Sequence, residues 1–213
     1  MPSLMILGAS GLVGRHVLTQ ALADARITRV VAPTRRPLIP AAVPGQALDN
    51  PIVDFTALPP DPPWWRVDAV ICALGTTRRE AGSDAAFSAV DHDAVVGALG
   101  MARRHGCRVA AVVSSVGADP HARTLYLRTK GRMELDAARL GFESLTLLRP
   151  SLLVGQRSRP RLAERAAGQV LGALAPLVPR RYRAVAADRV AHTLLVSAIA
   201  ARPGAHVVES EFI

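Results

Sequence analysis

The feature that most restricts this chain is a glycine turn set between an apolar strand and an amphipathic helix. Ser3–Leu7 is an apolar run of strand length. Leu12–Ala23 places Val13, Val17, Leu18, Ala21 and Leu22 at helical spacing. Between them stands Gly8-Ala9-Ser10-Gly11-Leu12-Val13-Gly14. Gly8 permits the tight turn, Gly11 leaves the backbone open to a pyrophosphate, and Gly14 lets the helix pack closely on the strand. The helix start adds free N–H groups and positive potential for phosphate. The spacing is G-x-x-G-x-x-G rather than the plain dinucleotide G-x-G-x-x-G, but the strand–turn–helix context that gives such a motif meaning is present. Gly8, Ser10, Gly11, Leu12, Val13 and Gly14 are therefore candidate cofactor-binding residues.

Strand and helix patterns continue to alternate. Thr28–Ala32, Ala69–Leu74, Arg108–Ser114 and Ser144–Arg149 read as strands, with helices expected around Asp84–His105 and Thr124–Leu140. Pro33–Pro51 reads as loop, and the Trp64–Trp65 pair after the prolines at 59–63 as cover for a sheet edge. Continuously apolar strands separated by amphipathic helices predict an α/β fold, a doubly wound parallel sheet of Rossmann type. Beyond Gly155 the pattern changes to helices at Arg161–Leu174 and Asp188–Ala201 and a short strand at Ala205–Val208. With 213 residues, the expectation is one domain over 1–213, in which 156–213 contribute a small C-terminal, substrate-side cap.

The end of the second strand selects the dinucleotide in such folds, an acid there favouring NAD. This chain carries Thr34-Arg35-Arg36 instead. Two guanidinium groups suit a 2′-phosphate, so NADP(H) is expected. Further on, Tyr126 and Lys130 stand at i and i+4, on one helical face. A phenol is a poor acid at neutral pH, and a neighbouring ammonium eases its proton transfer to a carbonyl oxygen. Lys130 is the only lysine in the chain and Tyr126 one of two tyrosines; every other long cation is arginine. Ser114-Ser115-Val116-Gly117 closes the preceding strand, and Ser115, with Ser114 second, is the expected hydroxyl that polarises the carbonyl. Asp91-His92-Asp93 lacks a third ligand and reads as a helix surface or cofactor-side polar patch, so no metal site is expected.

The formal charge of +9 suits an anionic ligand. The arginines are scattered and no zinc-finger, basic-zipper or aromatic RNA-binding signature accompanies them, so no nucleic-acid partner is expected. Cys72 and Cys107 read as reduced core thiols. Arginines and prolines interrupt every apolar run before spanning length, so no membrane partner is expected. No signal peptide is read ahead of a first strand at Ser3, which makes the cytoplasm the default.

Taken together these residues resemble the short-chain dehydrogenase/reductase superfamily. Ala73-Leu74-Gly75-Thr76-Thr77-Arg78, Val90-Asp91, Ser114-Ser115-Val116-Gly117-Ala118-Asp119, the run Leu125 to Gly131, and Leu148-Arg149-Pro150 resemble more specifically the Tat-interacting-protein family of atypical members. The resemblance spans nearly the whole chain. It implies NADPH binding through the glycine turn, Arg35, Arg36, Leu74, Gly75, Thr76, Tyr126 and Lys130, with Ser115, Tyr126 and Lys130 as catalytic trio. Its implied activity is hydride transfer to a small carbonyl substrate. The alternative is an NADPH-binding regulator or redox sensor with little turnover, since some family members act so. Self-association through sheet-face helices is open by the same analogy. Many relatives in the wider superfamily carry asparagine where this chain has Asp91, and the stretch after Gly155 is short beside sugar-nucleotide epimerases.

Overall fold

A computed structural model describes residues 3–38, 47–155 and 179–213. Along them run β1 (Ser3–Leu7), α1 (Leu12–Ala23), β2 (Arg29–Val31), β3 (Ala47–Asp49), β4 (Ala69–Cys72), α2 (Arg78–Ala81) and α3 (Asp84–Ser88). A π-helical turn, Ala89–Ala94, joins α3 to α4 (Val95–Arg104). Then follow β5 (Val109–Val113), α5 (Leu125–Arg139), β6 (Ser144–Arg149), β7 (Leu153–Val154), β8 (Val185–Ala186), α6 (Ala187–Ala200) and β9 (Gly204–Glu209).

The main sheet has the order β3-β2-β1-β4-β5-β6-β9, and every described pairing in it is parallel. The order reverses at β1, so the crevice of a doubly wound sheet opens between the carboxyl ends of β1 and β4. Both faces are covered. On one, Val13, Val17 and Leu18 of α1 and Val190, Leu194 and Leu195 of α6 pack on Leu4, Ile6 and Ile71. On the other, Val95 and Leu99 of α4 and Met133 and Ala137 of α5 pack on Met5, Val70 and Val112. Burial on both sides is why these strands read as unbroken apolar runs.

Several expectations are corrected. The stretch Pro33–Pro51 is not all loop, because β3 pairs with β2, and a further bridge joins Thr34 to Ile52. An edge strand with exposed flanks carries no apolar signature, so periodicity could not find it. The single helix expected over Asp84–His105 is divided by the π turn. Trp65 is fully buried in the second core cluster, its indole N–H donating to Pro59 O at 2.9 Å, and Trp64 packs on it; it is core rather than edge cover. Of the 156–213 segment expected as a cap, α6 and β9 belong to the central layers, as their apolar packing and pairing with β6 require. The helix expected at Arg161–Leu174 lies outside the described residues. Both cysteines are buried free thiols, and burial raises them, Cys72 to about 11 and Cys107 to about 12.

Candidate active site

The glycine turn closes the β1–α1 junction by contact as well as by conformation. Gly8 has φ +84°, and a Cβ there would stand 2.6 Å from Ala73 O on β4's exit. A Cβ on Gly14 would stand 2.0 Å from Gly8 O, so the first turn of α1 lies directly on the turn beneath it. Gly11 differs: it is exposed, its backbone is extended, and a Cβ there would meet Gly8 O at 3.2 Å and Ala73 O at 4.0 Å. No side chain caps α1, and no acid stands in its first turn. Its opening N–H groups are thus left to solvent or to an anion. Ser10 is exposed beside them, Val13 is buried, and Leu12 packs on the core.

Arg35 and Arg36 follow β2 on a fixed loop with exposed side chains. Thr34, buried, donates its hydroxyl to Arg36 O at 2.7 Å. Asn50 donates to Ala32 O and to the Thr34 hydroxyl, and accepts the Leu38 N–H at 2.8 Å. Asn50 was not singled out from the sequence, where it reads as one more turn residue after Asp49. Its partners lie across the β2–β3 pair, a juxtaposition that a short edge strand hides.

Lys130 lies inside the molecule, 4% exposed. Its Nζ is 2.8 Å from Asp91 Oδ1, and Asp91 itself is 1% exposed. The other carboxylate oxygen of Asp91 accepts the Thr76 backbone N–H at 2.7 Å. Gly75 lies over this pair: a Cβ there would come 3.3 Å from Asp91 Oδ1 and 3.8 Å from Lys130 Nζ. The loop Leu74-Gly75-Thr76 and the lysine of α5 are thereby joined through one carboxylate. Of the two sequence readings, helix surface or cofactor-side polar patch, the burial of Asp91 rules out the first for this residue. The π turn carries it inward and turns the next residue, His92, toward the same helix: Nε2 is 2.9 Å from Asp136 Oδ2, while Nδ1 is 2.7 Å from Asp93 Oδ1. Burial opposes charge on His92, but hydrogen bonds to Asp93 and Asp136 outweigh it and raise its pKa above 6.5.

Tyr126 lies one turn before Lys130 and is 44% exposed. Its ring centroid is 5.9 Å from that of Phe87, and no hydrogen bond of its hydroxyl is found among the described residues. Ser115 is buried and donates a long 3.3 Å bond to Val116 O. Ser114 is also buried, and its hydroxyl has no partner among the described residues. The structure brings Lys130 and Gly75–Thr76 together, but no described hydrogen bond joins Ser115, Tyr126 and Lys130. Gly131 fixes α5: a Cβ on it would stand 2.2 Å from the Asp119–Pro120 backbone. Glu134, one turn beyond Lys130, makes a two-bond ion pair to Arg149 on β6 at 2.6 and 2.9 Å.

A glycine-built β1–α1 turn with an uncapped helix start, and a buried lysine of α5 against the loop after β4, stand together at the switch point of a Rossmann-type sheet. No family model matches the chain. The protein fmp52, mitochondrial, of Emericella nidulans is 36% identical over 183 residues, 82% of this chain and 76% of that relative. HTATIP2 of Rattus norvegicus is 35% identical over 173 residues, 81% of this chain and 71% of that protein. The chain belongs to the family of the Fmp52 and HTATIP2 proteins. Among solved structures, MoeE5 in complex with UDP-glucose and NAD superposes with TM-score 0.71 at 18% identity, covering 97% of this chain and 75% of that one. UDP-N-acetylglucosamine 4-epimerase from Bacillus cereus superposes with TM-score 0.67 at 16% identity, covering 98% and 78%. Both likenesses show the fold. The cytoplasmic expectation is overturned, because the Fmp52 relatives are named mitochondrial proteins. It rested on the lack of an apolar leader, whereas mitochondrial transit segments are amphipathic and arginine-rich. Among the described residues no helix is long and apolar enough to cross a membrane, and no three His, Cys, Asp or Glu residues form a metal cluster.

Proposed function

We propose that this protein is an NADPH-dependent oxidoreductase that reduces a small carbonyl compound, working as one domain over 1–213. The observation that carries the reading is the joint placement of the glycine cradle and Lys130 at the switch point of the sheet. The cradle fits a pyrophosphate: Gly11 is open, Gly8 and Gly14 tolerate no side chain, and α1 is uncapped. Gly8, Ser10, Gly11, Leu12, Val13 and Gly14 would hold the pyrophosphate, Leu74, Gly75 and Thr76 the adjoining half, and Lys130 a ribose. Arg35 and Arg36 would take the 2′-phosphate. The NAD bound in MoeE5 supports a nicotinamide cofactor, and the two arginines support its phosphorylated form. When bound, that cofactor supplies hydride. Tyr126 presents its hydroxyl as proton donor to the carbonyl oxygen, and Ser115 donates a hydrogen bond to the same atom.

A second reading, a nicotinamide-binding regulator with little turnover, is favoured by one fact: the Lys130 ammonium is engaged by Asp91, at 2.8 Å, rather than by the Tyr126 hydroxyl. One experiment separates the two. Purified protein is titrated with NADPH and NADH, then assayed for NADPH consumption over aldehydes, ketones and quinones, beside Tyr126→Phe. The enzyme reading expects NADPH bound about tenfold or more tighter than NADH, since charge-assisted contacts contribute about 1.5–3 kcal/mol each before screening. It also expects turnover that Tyr126→Phe abolishes without loss of binding. Equal binding of the two dinucleotides sinks the NADP assignment. A silent wild type that still binds NADPH favours the regulator.

A further inference from the structure

We propose that Asp91 is the positioning residue of this site: its carboxylate fastens the Lys130 ammonium to the Gly75–Thr76 loop and so presets the lysine for the dinucleotide. The role toward the dinucleotide rests on the nicotinamide reading above. Asp91 and Lys130 are both almost wholly buried, at 1% and 4% exposure. The ammonium is 2.8 Å from one oxygen, and the Thr76 N–H reaches the other at 2.7 Å. Burying two charges is costly and is offset only where geometry and further hydrogen bonds are good. Here each carboxylate oxygen has a donor of its own. A lysine on a flexible stem has many rotamers; Asp91 leaves it few.

Two features set the clamp. The π turn directs Asp91 and His92, neighbours in sequence, at Lys130 and Asp136 on the same helix. Gly75 has no side chain, so the loop settles on the ion pair, where any Cβ would already stand 3.3 Å from the carboxylate. Lys130 is therefore a paired cation beneath a backbone floor. Its reach toward a ligand is set by Asp91 as much as by α5.

The test uses the fact that Lys130 is the only lysine. The full-length protein is treated with an amine acylating reagent, and Lys130 is followed by peptide mass with the N-terminal amine as internal reference. NADPH affinity is measured in parallel by nucleotide fluorescence for wild type, Asp91→Asn, Lys130→Met, the double variant and Asp91→Glu. Asparagine keeps an acceptor for Thr76 but removes the counter-charge. Without its counter-charge the ammonium is no longer held in the interior and swings out to water, where the amine meets the reagent. Lys130 is expected to be protected in wild type and labelled readily in Asp91→Asn. NADPH binding should weaken roughly tenfold to a hundredfold. The double variant should bind no worse than Lys130→Met alone, because Asp91 acts through the lysine. Asp91→Glu keeps the pair, and with it the fold, but displaces the ammonium; it too should bind NADPH more weakly, which covers an Asp91→Asn chain that does not fold.

Wild-type NADPH affinity in a folded Asp91→Asn or Asp91→Glu variant overturns the proposal while leaving the nicotinamide reading intact. So does a double variant weakened by the product of both single effects, the mark of a merely structural residue. A wild type that binds neither dinucleotide overturns the reading itself and, with it, the role toward a ribose. The labelling contrast then shows separately whether the clamp exists.

Discussion

At the residue scale the three glycines of the first turn do different work, and substitution can separate them. Gly8 and Gly14 are required by backbone contact, whereas Gly11 faces outward from an extended backbone. Gly14→Ala should cost about 3 kcal/mol, because its Cβ would overlap a carbonyl that cannot move without shifting α1. Gly11→Val should fold, losing at most about 1 kcal/mol at the helix start. It should nevertheless weaken NADPH binding tenfold or more, about 1.4 kcal/mol, since its side chain would occupy the approach to the uncapped helix. Thermal melts and NADPH titrations of the two variants check this; unchanged affinity in folded Gly11→Val removes the cradle from the proposal. Much of this turn was legible in the sequence because its constraints are local. Asp91 was legible only in part: the sequence left it between helix surface and a cofactor-side polar patch, because its partner Lys130 lies 39 residues away in the chain. Asn50 was hidden for the same reason.

At the scale of elements, the π turn, α5 and β6 form a connected unit under the site. α5 is fastened on three sides: to the π turn through Asp91 and His92, to Asp119–Pro120 through Gly131, and to β6 through Glu134–Arg149. The two buried core faces were legible as apolar runs and helical stripes; the break in the helix over Asp84–His105 was not, because no glycine or proline stands within Ala89–Ala94 to mark the change of winding. The His92 fastening carries a pH signature. Its pKa is raised in the folded state, so protonated His92 binding Asp93 and Asp136 stabilises the fold fully below 6.5, and this is lost as pH rises through the raised value. Asp136 is held below 3.8, chiefly by its bond to His92, so the carboxylate side is present above 3.8 and fades as pH falls through the lowered value. The fastening is thus strongest between those limits. Wild type minus His92→Gln in melting free energy should be largest near pH 5–6, at about 1 kcal/mol for a partly exposed pair, and shrink toward pH 8. A difference that stays flat from pH 5 to 8 would show that His92 is not bonded in its charged form.

At the scale of the whole molecule, charge acts over distances that no single contact covers. The chain has 26 basic and 17 acidic residues, a formal excess of +9, and arginine provides all but one of the bases. Nearly all of it is fixed charge, because guanidinium groups do not titrate near neutrality. Such a field draws anions to the surface before any hydrogen bond forms, and it is screened beyond about 10 Å at 0.1 M salt. A dinucleotide with an added 2′-phosphate carries more charge than its unphosphorylated counterpart, so its arrival should depend more steeply on ionic strength. Stopped-flow binding should show the NADPH association rate falling several-fold between roughly 0.02 and 0.5 M salt, with a smaller fall for NADH. Dissociation should change less, because it reports close contacts at the cradle. Replacing Arg35 and Arg36 together by alanine separates the two effects: two charges of the excess are removed, so most steering remains, while NADPH leaves faster for want of its 2′-phosphate partners. If instead the double variant loses the salt dependence of association entirely, the attraction is local to that loop rather than a property of the molecule. If wild-type association is insensitive to salt for both dinucleotides, the basic excess plays no part in capturing the cofactor.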